Sequence, residues 1–326
     1  MKMKLNKLFL SASIVLLAAL GLASCDKREN NIAYPPGVAA NVATVAESNG
    51  LTIFANALRR AGMDSTFSYL GQYTIFAPTD SAFAAAGITA SAVSSLPVET
   101  LRTLLRNHIL SGRTTLMSFL PGPNAVYTNL NRDTLFVTGV GTPPTAFYIN
   151  GRKVTQTDIS ANNGVIHKIA GVLAPAGGNF TTTVALMPNL SLFAAAVQRA
   201  GLTNSFNNVG NRWTVFAPSN AAFQAAGYAD VNAINAADPT ALSALLRYHV
   251  VPATSLTQSG RIAFSSDLTA RYANTTLNTV QGTAITVGAG GTTVKGTNSA
   301  AASNITTSDI LYRSGVLHVI DRVLMP

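Results

Sequence analysis

The chain has 326 residues, 48% of them apolar and 11% charged, with 25 glycines and one cysteine. So much apolar residue with so little charge excludes a disordered chain, a collagen-like repeat and a coiled coil, and a lone cysteine excludes a disulfide framework or a multi-cysteine zinc or iron–sulfur centre. The formal charge of +9 comes from 22 Lys and Arg against 13 Asp and Glu, but the basic residues fall singly or in pairs such as Arg59-Arg60 and Arg152-Lys153, with no stripe to track a phosphate backbone, so no nucleic-acid partner is expected.

Lys2, Lys4 and Lys7 precede an uncharged, largely apolar run from Leu8 to Leu22. At about 15 residues it is short of the ~20 that a spanning helix needs and fits the h-region of a secretory signal. It closes on Leu22-Ala23-Ser24-Cys25, which resembles the bacterial lipobox. That resemblance implies cleavage before Cys25 and acylation of its thiol and amine. Two or more acyl chains hold a protein stably on a membrane where one holds it marginally. The expectation is therefore a lipoprotein signal peptide over residues 1–24, lipid on Cys25, and a polar tether over 25–37. An ordinary signal peptide that happens to end at a cysteine is the alternative.

Everything after the tether is written twice. Phe54–Gly62 matches Phe193–Gly201 at an offset of 139, Tyr73–Phe83 matches Trp213–Phe223 at 140, Leu104–Leu110 matches Leu245–Val251 at 141, and Asn163–Ile169 matches Ser314–Ile320 at 151. The late jump of ten places an insertion between the histidines of the second copy. Repeats of this length are tandem globular domains, since solenoid units run about 20–50 residues, and Ala174-Pro-Ala-Gly-Gly178 is a natural boundary. Domains are expected over 38–176 and 177–326.

Each copy opens on a helix. Phe54, Ala57, Leu58 and Ala61 share one face, with Gly62 placed to end it in the left-handed conformation. Short strands follow at Thr74-Ile-Phe and Thr214-Val-Phe, stopped by Ala-Pro because proline removes a ladder donor. Thr79 and Ser219 then supply helix N-caps. Longer helices are expected around Val98–Ile109 and Pro239–Val250. Later strands are expected at 133–138, 146–149, 152–156 and 165–172, and at 284–287, 292–295 and 316–323, with Gly288–Gly291 as a hairpin loop. Helices first and strands later point to an α+β class.

Phe76-Ala-Pro-Thr-Asp-Ser-Ala-Phe83 with Phe216-Ala-Pro-Ser-Asn-Ala-Ala-Phe223, and Asn163-Gly-Val-Ile-His-Lys-Ile169 with Ser314-Gly-Val-Leu-His-Val-Ile-Asp-Arg-Val-Leu324, resemble the two motifs of the fasciclin domain family. Leu245-Leu-Arg-Tyr-His249 resembles the tyrosine–histidine motif between them. The resemblance implies two tandem domains, each a β-wedge of about seven strands packed against several helices. It marks Phe76, Pro78, Phe83, His167, Phe216, Pro218, Phe223, His318 and Asp321 as structural motif residues. It also marks Tyr248 and His249, with His108 in the first copy, as candidate partner contacts. Two departures stand out: Asn107 replaces the tyrosine, and Ala170 the aspartate, in the first copy.

All four histidines occupy matched positions, His108 with His249 and His167 with His318. A sharp reading makes them catalytic or metal couples. No H-E-x-x-H, G-x-S-x-G or phosphate-loop pattern accompanies them, and a histidine with Asp158 or Asp309 falls short of a zinc ligand set. The plainer expectation is that each histidine is half buried, bonds nearby backbone and locks helix to sheet. No catalytic residue, metal or cofactor is expected. The function expected is a non-enzymatic, lipid-anchored adhesion protein of the cell envelope, at the outer membrane and facing the periplasm or the outside, whose partner is a surface protein or glycan. The alternative is a glycan- or small-ligand-binding accessory lipoprotein of an envelope uptake system, its tyrosines forming a sugar-stacking face.

Overall fold

Proline decides where the first strand of each copy stops. The computed structural model describes residues 41–64, 72–119, 124–175, 177–256 and 262–326. The signal peptide, Cys25, the tether and Tyr69 lie outside them. Residues 39–326 form one compact unit holding both copies.

The first copy runs α1 (Val42–Ser48), α2 (Thr52–Arg60), β1 (Tyr73–Pro78), α3 (Asp80–Ala85), α4 (Ala90–Ser95), α5 (Val98–Asn107), then β2 (Ile109–Ser111), β3 (Ala125–Thr128), β4 (Thr134–Gly141), β5 (Pro144–Ile149), β6 (Arg152–Ala161) and β7 (Gly164–Ile169). The second runs α6 (Phe180–Ala185), α7 (Ser191–Arg199), α8 (Thr203–Asn207), β8 (Trp213–Pro218), α9 (Asn220–Ala225), α10 (Val231–Ala236), α11 (Pro239–Tyr248), β9 (Val250–Pro252), α12 (Ser265–Ala270), β10 (Thr276–Asn278), β11 (Ala284–Val287), β12 (Thr293–Gly296), β13 (Ser303–Tyr312) and β14 (Gly315–Ile320). Each copy has a seven-stranded sheet, in the order β2-β1-β7-β6-β5-β4-β3 and its counterpart β9-β8-β14-β13-β12-β11-β10. One pair in each sheet is parallel: β1 with β7, setting Phe76 opposite His167, and β8 with β14, setting Phe216 opposite His318. All other pairings are antiparallel.

Alternation along β1 divides the core. Ile75 joins Phe54, Leu58, Phe83 and Leu101 under the helices, while Phe76 joins Phe119, Leu135, Ile149 and Leu173 on the opposite face. The parallel partners approach closely: a Cβ on Gly164 would lie 2.4 Å from the Tyr73 carbonyl oxygen, and one on Gly315 2.2 Å from that of Trp213. Both glycines are thus required by the pairing. Thr79 and Ser219 cap α3 and α9, accepting from the amides of Ala82 and Ala222, and Gly62, with φ +65°, follows α2.

Several expected boundaries move, among them those of the strands expected to run to 172 and 323, which end at Ile169 and Ile320. The long helices end two residues early, at Asn107 and Tyr248, because Ile109–Ser111 and Val250–Pro252 turn out to be edge strands. The strand expected over 152–156 continues to Ala161 through register shifts, with Asp158 at φ +58°.

The segment that follows the insertion joins the two copies. Sixteen residues separate the starts of β2 and β3, and twenty-six those of β9 and β10. The surplus falls before Ala263, whose amide bonds Thr214 Oγ1 as that of Thr114 bonds Thr74 Oγ1; α12 follows it, in the place of the short turn Leu116–Ser118 of the first copy, and docks on that copy. Asn124 donates through Nδ2 to the Ile262 carbonyl at 2.8 Å and to Asp267 Oδ2 at 3.2 Å, and accepts from Thr138 Oγ1 at 2.7 Å. Arg271 bonds Asp267 Oδ1 at 3.2 Å and reaches the Gly139 carbonyl of the first copy at 2.8 Å. Phe136 and Phe264 meet beside them, ring centroids 5.6 Å apart.

Asn124→Ala is expected to cost at least about 2 kcal/mol, since it strands buried groups on both copies at about 1–3 kcal/mol each. Calorimetry is expected to show one thermal transition resolving into two. Asn124→Gly, which relieves the φ of +50°, is expected to do the same; a single unshifted transition in both variants contradicts this account of the seam.

Candidate functional site

The matched histidines are the natural place to look for chemistry, and the two members of each copy sit in different settings. His108 and His249 follow the last residue of α5 and α11. Their Nδ1 atoms donate back to the carbonyls of Leu104 and Leu245, both at 2.8 Å. Their Nε2 atoms accept from the amides of Leu173 and Leu324, both at 2.9 Å. His167 and His318, on β7 and β14, are wired the other way round. Nε2 donates to the carbonyl of Thr114 at 3.1 Å or of Ala263 at 2.9 Å. Nδ1 accepts from the amide of Asp158 at 3.2 Å or of Asp309 at 3.4 Å.

One nitrogen that donates and one that accepts define a neutral imidazole of fixed tautomer. All four rings are at most 1% exposed, so the expectation of half-buried side chains is corrected to full burial; the backbone bonding is as expected. Desolvation lowers the affinity of every one for a proton, pushing His108 and His249 down to about 4 against their Leu104 and Leu245 bonds. His167 and His318 are lowered for the same reason, with Asp158 and Asp309 opposing. Phe76 stacks on His167 at 5.6 Å and Phe216 on His318 at 5.5 Å. Phe83 and Phe223 are buried under the helices, and Pro78 and Pro218 close their strands opposite Ile169 and Ile320.

The three candidate contact residues need correction. Tyr248 is 0% exposed, His249 1% and His108 1%, so none offers surface to a partner of the folded chain. Tyr248 bridges helix to sheet: its hydroxyl donates to the Ala284 carbonyl at 2.8 Å and accepts from the Thr297 amide at 2.8 Å. Asn107, its shorter counterpart, makes a different bridge, donating to the Leu173 carbonyl at 3.1 Å and accepting from Asn129 Nδ2 at 2.7 Å. Asp321 accepts from the Asn304 amide at 2.8 Å and side chain at 2.7 Å, and from Ser303 Oγ at 3.0 Å, tying β13 to the end of β14. Burial raises its proton affinity, but the Asn304 and Ser303 donors outweigh that and hold the carboxyl below its usual range. Ala170 keeps only a main-chain bond, to the Lys153 carbonyl at 2.8 Å.

Two residues have a larger part than the sequence suggested. Asp158 and Asp309 both adopt positive φ at a bulge and present their own amides to a histidine. Their carboxylates hold the segment that crosses that histidine: Asp158 accepts from the Leu116 amide at 2.9 Å, and Asp309 from Ser265 N at 2.7 Å and Oγ at 2.6 Å. Their fixed spacing of nine residues from His167 and His318 was the available signal. Among the described residues no group of three or more His, Cys, Asp or Glu could hold a metal ion. With both ring nitrogens bonded to backbone, these imidazoles are not placed to exchange protons with a bound molecule.

The fasciclin domain family matches residues 49–175 and 188–326. The chain is 29% identical over 261 residues to the transforming growth factor-beta-induced protein ig-h3 of Sus scrofa, covering 78% of this chain and 35% of that protein. It is 28% identical over 268 residues to human periostin, covering 78% and 28%. It is 26% identical over 287 residues to the fasciclin-like arabinogalactan protein elcF of Phaeosphaeria nodorum, covering 84% and 85%. The chain thus spans about a third of the length of the first two relatives. A solved FAS1 domain pair from the insect cell adhesion molecule fasciclin I aligns at a TM-score of 0.42 and 20% identity, covering 86% of this chain and 98% of that one.

Proposed function

Because the chain belongs to the fasciclin domain family, as two tandem copies, we propose that it is a non-enzymatic adhesion protein, held on a bacterial envelope by lipid at Cys25. Fasciclin domains are known in cell adhesion proteins. The observation that carries the reading is where the titratable chemistry has gone: both nitrogens of all four histidines are taken up by main chain inside the scaffold. A joined pair of such domains offers two sets of surface loops at a fixed spacing, so that weak contacts add through effective concentration. The accessory glycan-binding alternative asked for exposed aromatic faces, and every described tyrosine is buried or half-buried.

Cells displaying the full chain are expected to hold to protein-coated surfaces several-fold better than cells lacking it. Cys25→Ser is expected to abolish both that gain and palmitate labelling. Adhesion indifferent to the presence of the chain rejects the adhesive reading, and persistent labelling of the serine variant rejects the anchor.

A further inference from the structure

A cleft of about 280 Å³ opens where the two domains meet. Three arginines line it, each from a different loop: Arg132 from the β3–β4 turn, Arg212 from just before β8, and Arg313 from the β13–β14 hairpin. All three are exposed, and the half-buried Asp133 is the one acid in the lining. The excess of positive charge there is therefore two. In a chain whose basic residues are otherwise scattered singly and in pairs, this is a convergence that the fold creates and the sequence hides, since the three positions span residues 132 to 313.

The hairpin and the linker brace one another at this point. Gly177 pairs with Tyr312, and the Arg313 amide donates to the Gly178 carbonyl at 3.1 Å. The backbone that carries Arg313 is thus fixed while its side chain stays in solvent. Guanidinium groups present planar, paired donors that match carboxylate and sulfate oxygens and keep their charge at any physiological pH. A cleft lying between two domains is also a usual place for a small-ligand site.

We propose that this cleft binds an acidic saccharide unit, a uronate or a sulfated sugar, as part of a longer polysaccharide. Three observations select that class. The arginines surround one opening rather than forming a track, which is unlike a nucleic-acid path. An excess of two positive charges around one opening calls for more than one anionic group, which neighbouring units of an acidic polysaccharide hold at a fixed spacing and a flexible acidic peptide does not. The rest of the lining offers both the hydroxyl and main-chain groups of Thr134 and Ser314 and the apolar edges of Phe136 and Leu311, which suits the mixed polar and C–H faces of a sugar ring. The site goes beyond the adhesive reading and does not depend on it.

The test is binding of the full chain to polygalacturonate and to dextran sulfate, with neutral dextran and polyglutamate as controls. Arg212→Gln combined with Arg313→Gln is expected to weaken polygalacturonate or dextran sulfate binding about tenfold or more and to flatten its salt dependence. Arg212 and Arg313 are exposed, so the melting temperature of the double variant is expected to hold. Lys295→Gln, an exposed charge on β12 outside the cleft lining, is expected to leave binding unchanged. Undiminished binding in the double variant, an equal loss in Lys295→Gln, or equal affinity for polyglutamate or neutral dextran overturns the proposal. If the uronate polymer alone binds, the ligand group is a carboxylate; if the sulfated one alone, a sulfate.

Discussion

Acidification from pH 6.5 to about 4 is expected to unfold the first domain ahead of the second. An unfolded chain protonates its histidines near pH 6.5, whereas folding holds His108 and His249 down at about 4. The stability these groups contribute is complete above the unfolded value and is lost as the pH falls through that window. The loss is about 3 kcal/mol for each, at roughly 1.36 kcal/mol per pH unit of displacement. His167 and His318 are lowered too and add to it in the same direction. Against a total stability of about 5–15 kcal/mol for a domain, such a loss is large.

The second domain has a counterweight. Burial lifts the Asp267 carboxyl to about 6, with the Phe264 amide, Asn124 and Arg271 opposing. A raised carboxyl contributes stability below its unfolded value and loses it as the pH rises through 6, so on the way down this group returns a comparable amount. Asp267 sits on α12, and the first domain has the neutral Ser118 at the matching position. Trp213 is the single tryptophan, so its emission follows the second domain alone. Amide exchange in β1 and β2 is expected to accelerate at a higher pH than the change in that emission. A melting temperature flat between about pH 7 and pH 4.5, or loss of the second domain first, contradicts this ordering.

The second large effect is expected at Tyr248. Tyr248→Ala empties a fully buried aromatic site, at about 3–5 kcal/mol, and strands the Thr297 amide at about 1–3 kcal/mol, leaving the Ala284 carbonyl with the Thr297 hydroxyl alone. The second domain is expected to be unfolded or nearly so, with Trp213 emission shifted to that of a solvated ring. Tyr248→Phe keeps the ring and removes the hydroxyl, and is expected to remain folded at a cost of about 1–3 kcal/mol. The pair separates bracing from contact. If the alanine variant melts like the parent but adheres less, Tyr248 reaches a partner by some opening of the domain and its bracing role is wrong.

What was legible in the sequence followed from local rules. Phe-Ala-Pro announced the end of β1 and β8 because a proline cannot donate to the ladder, and Gly62 announced the end of α2. The duplicated histidines announced a shared framework. The edge strands β2 and β9 were hidden because an apolar pair one residue beyond a helix, Ile109-Leu110 or Val250-Val251, continues its pattern. The far half of β6 and the whole of β13 were hidden because bulges at Asp158 and Asp309 interrupt the alternation by which strands are recognised. The first copy has only the short turn Leu116–Ser118 where α12 stands, so duplication gave no guide to the helix, and its polar residues acquire meaning only against Asn124 and Gly139. The burial of Tyr248 was equally non-local: its hydroxyl is satisfied by strands that begin some 36 residues later.

The parallel pairing of β1 with β7 and of β8 with β14 has a consequence for how the chain is made. Each sheet is completed only when a strand arrives about 90 to 100 residues after its partner, and such distant contacts are slow to form. The two pairs share one register, so β1 could accept β14 in place of β7. During synthesis that error has no opportunity, because β7 leaves the ribosome before any part of β14 has been translated. Renaturation of the finished polypeptide offers β1 both candidates at once, as is general for tandem homologues. Material recovered from denaturant is therefore expected to contain strand-exchanged forms that newly translated chains lack.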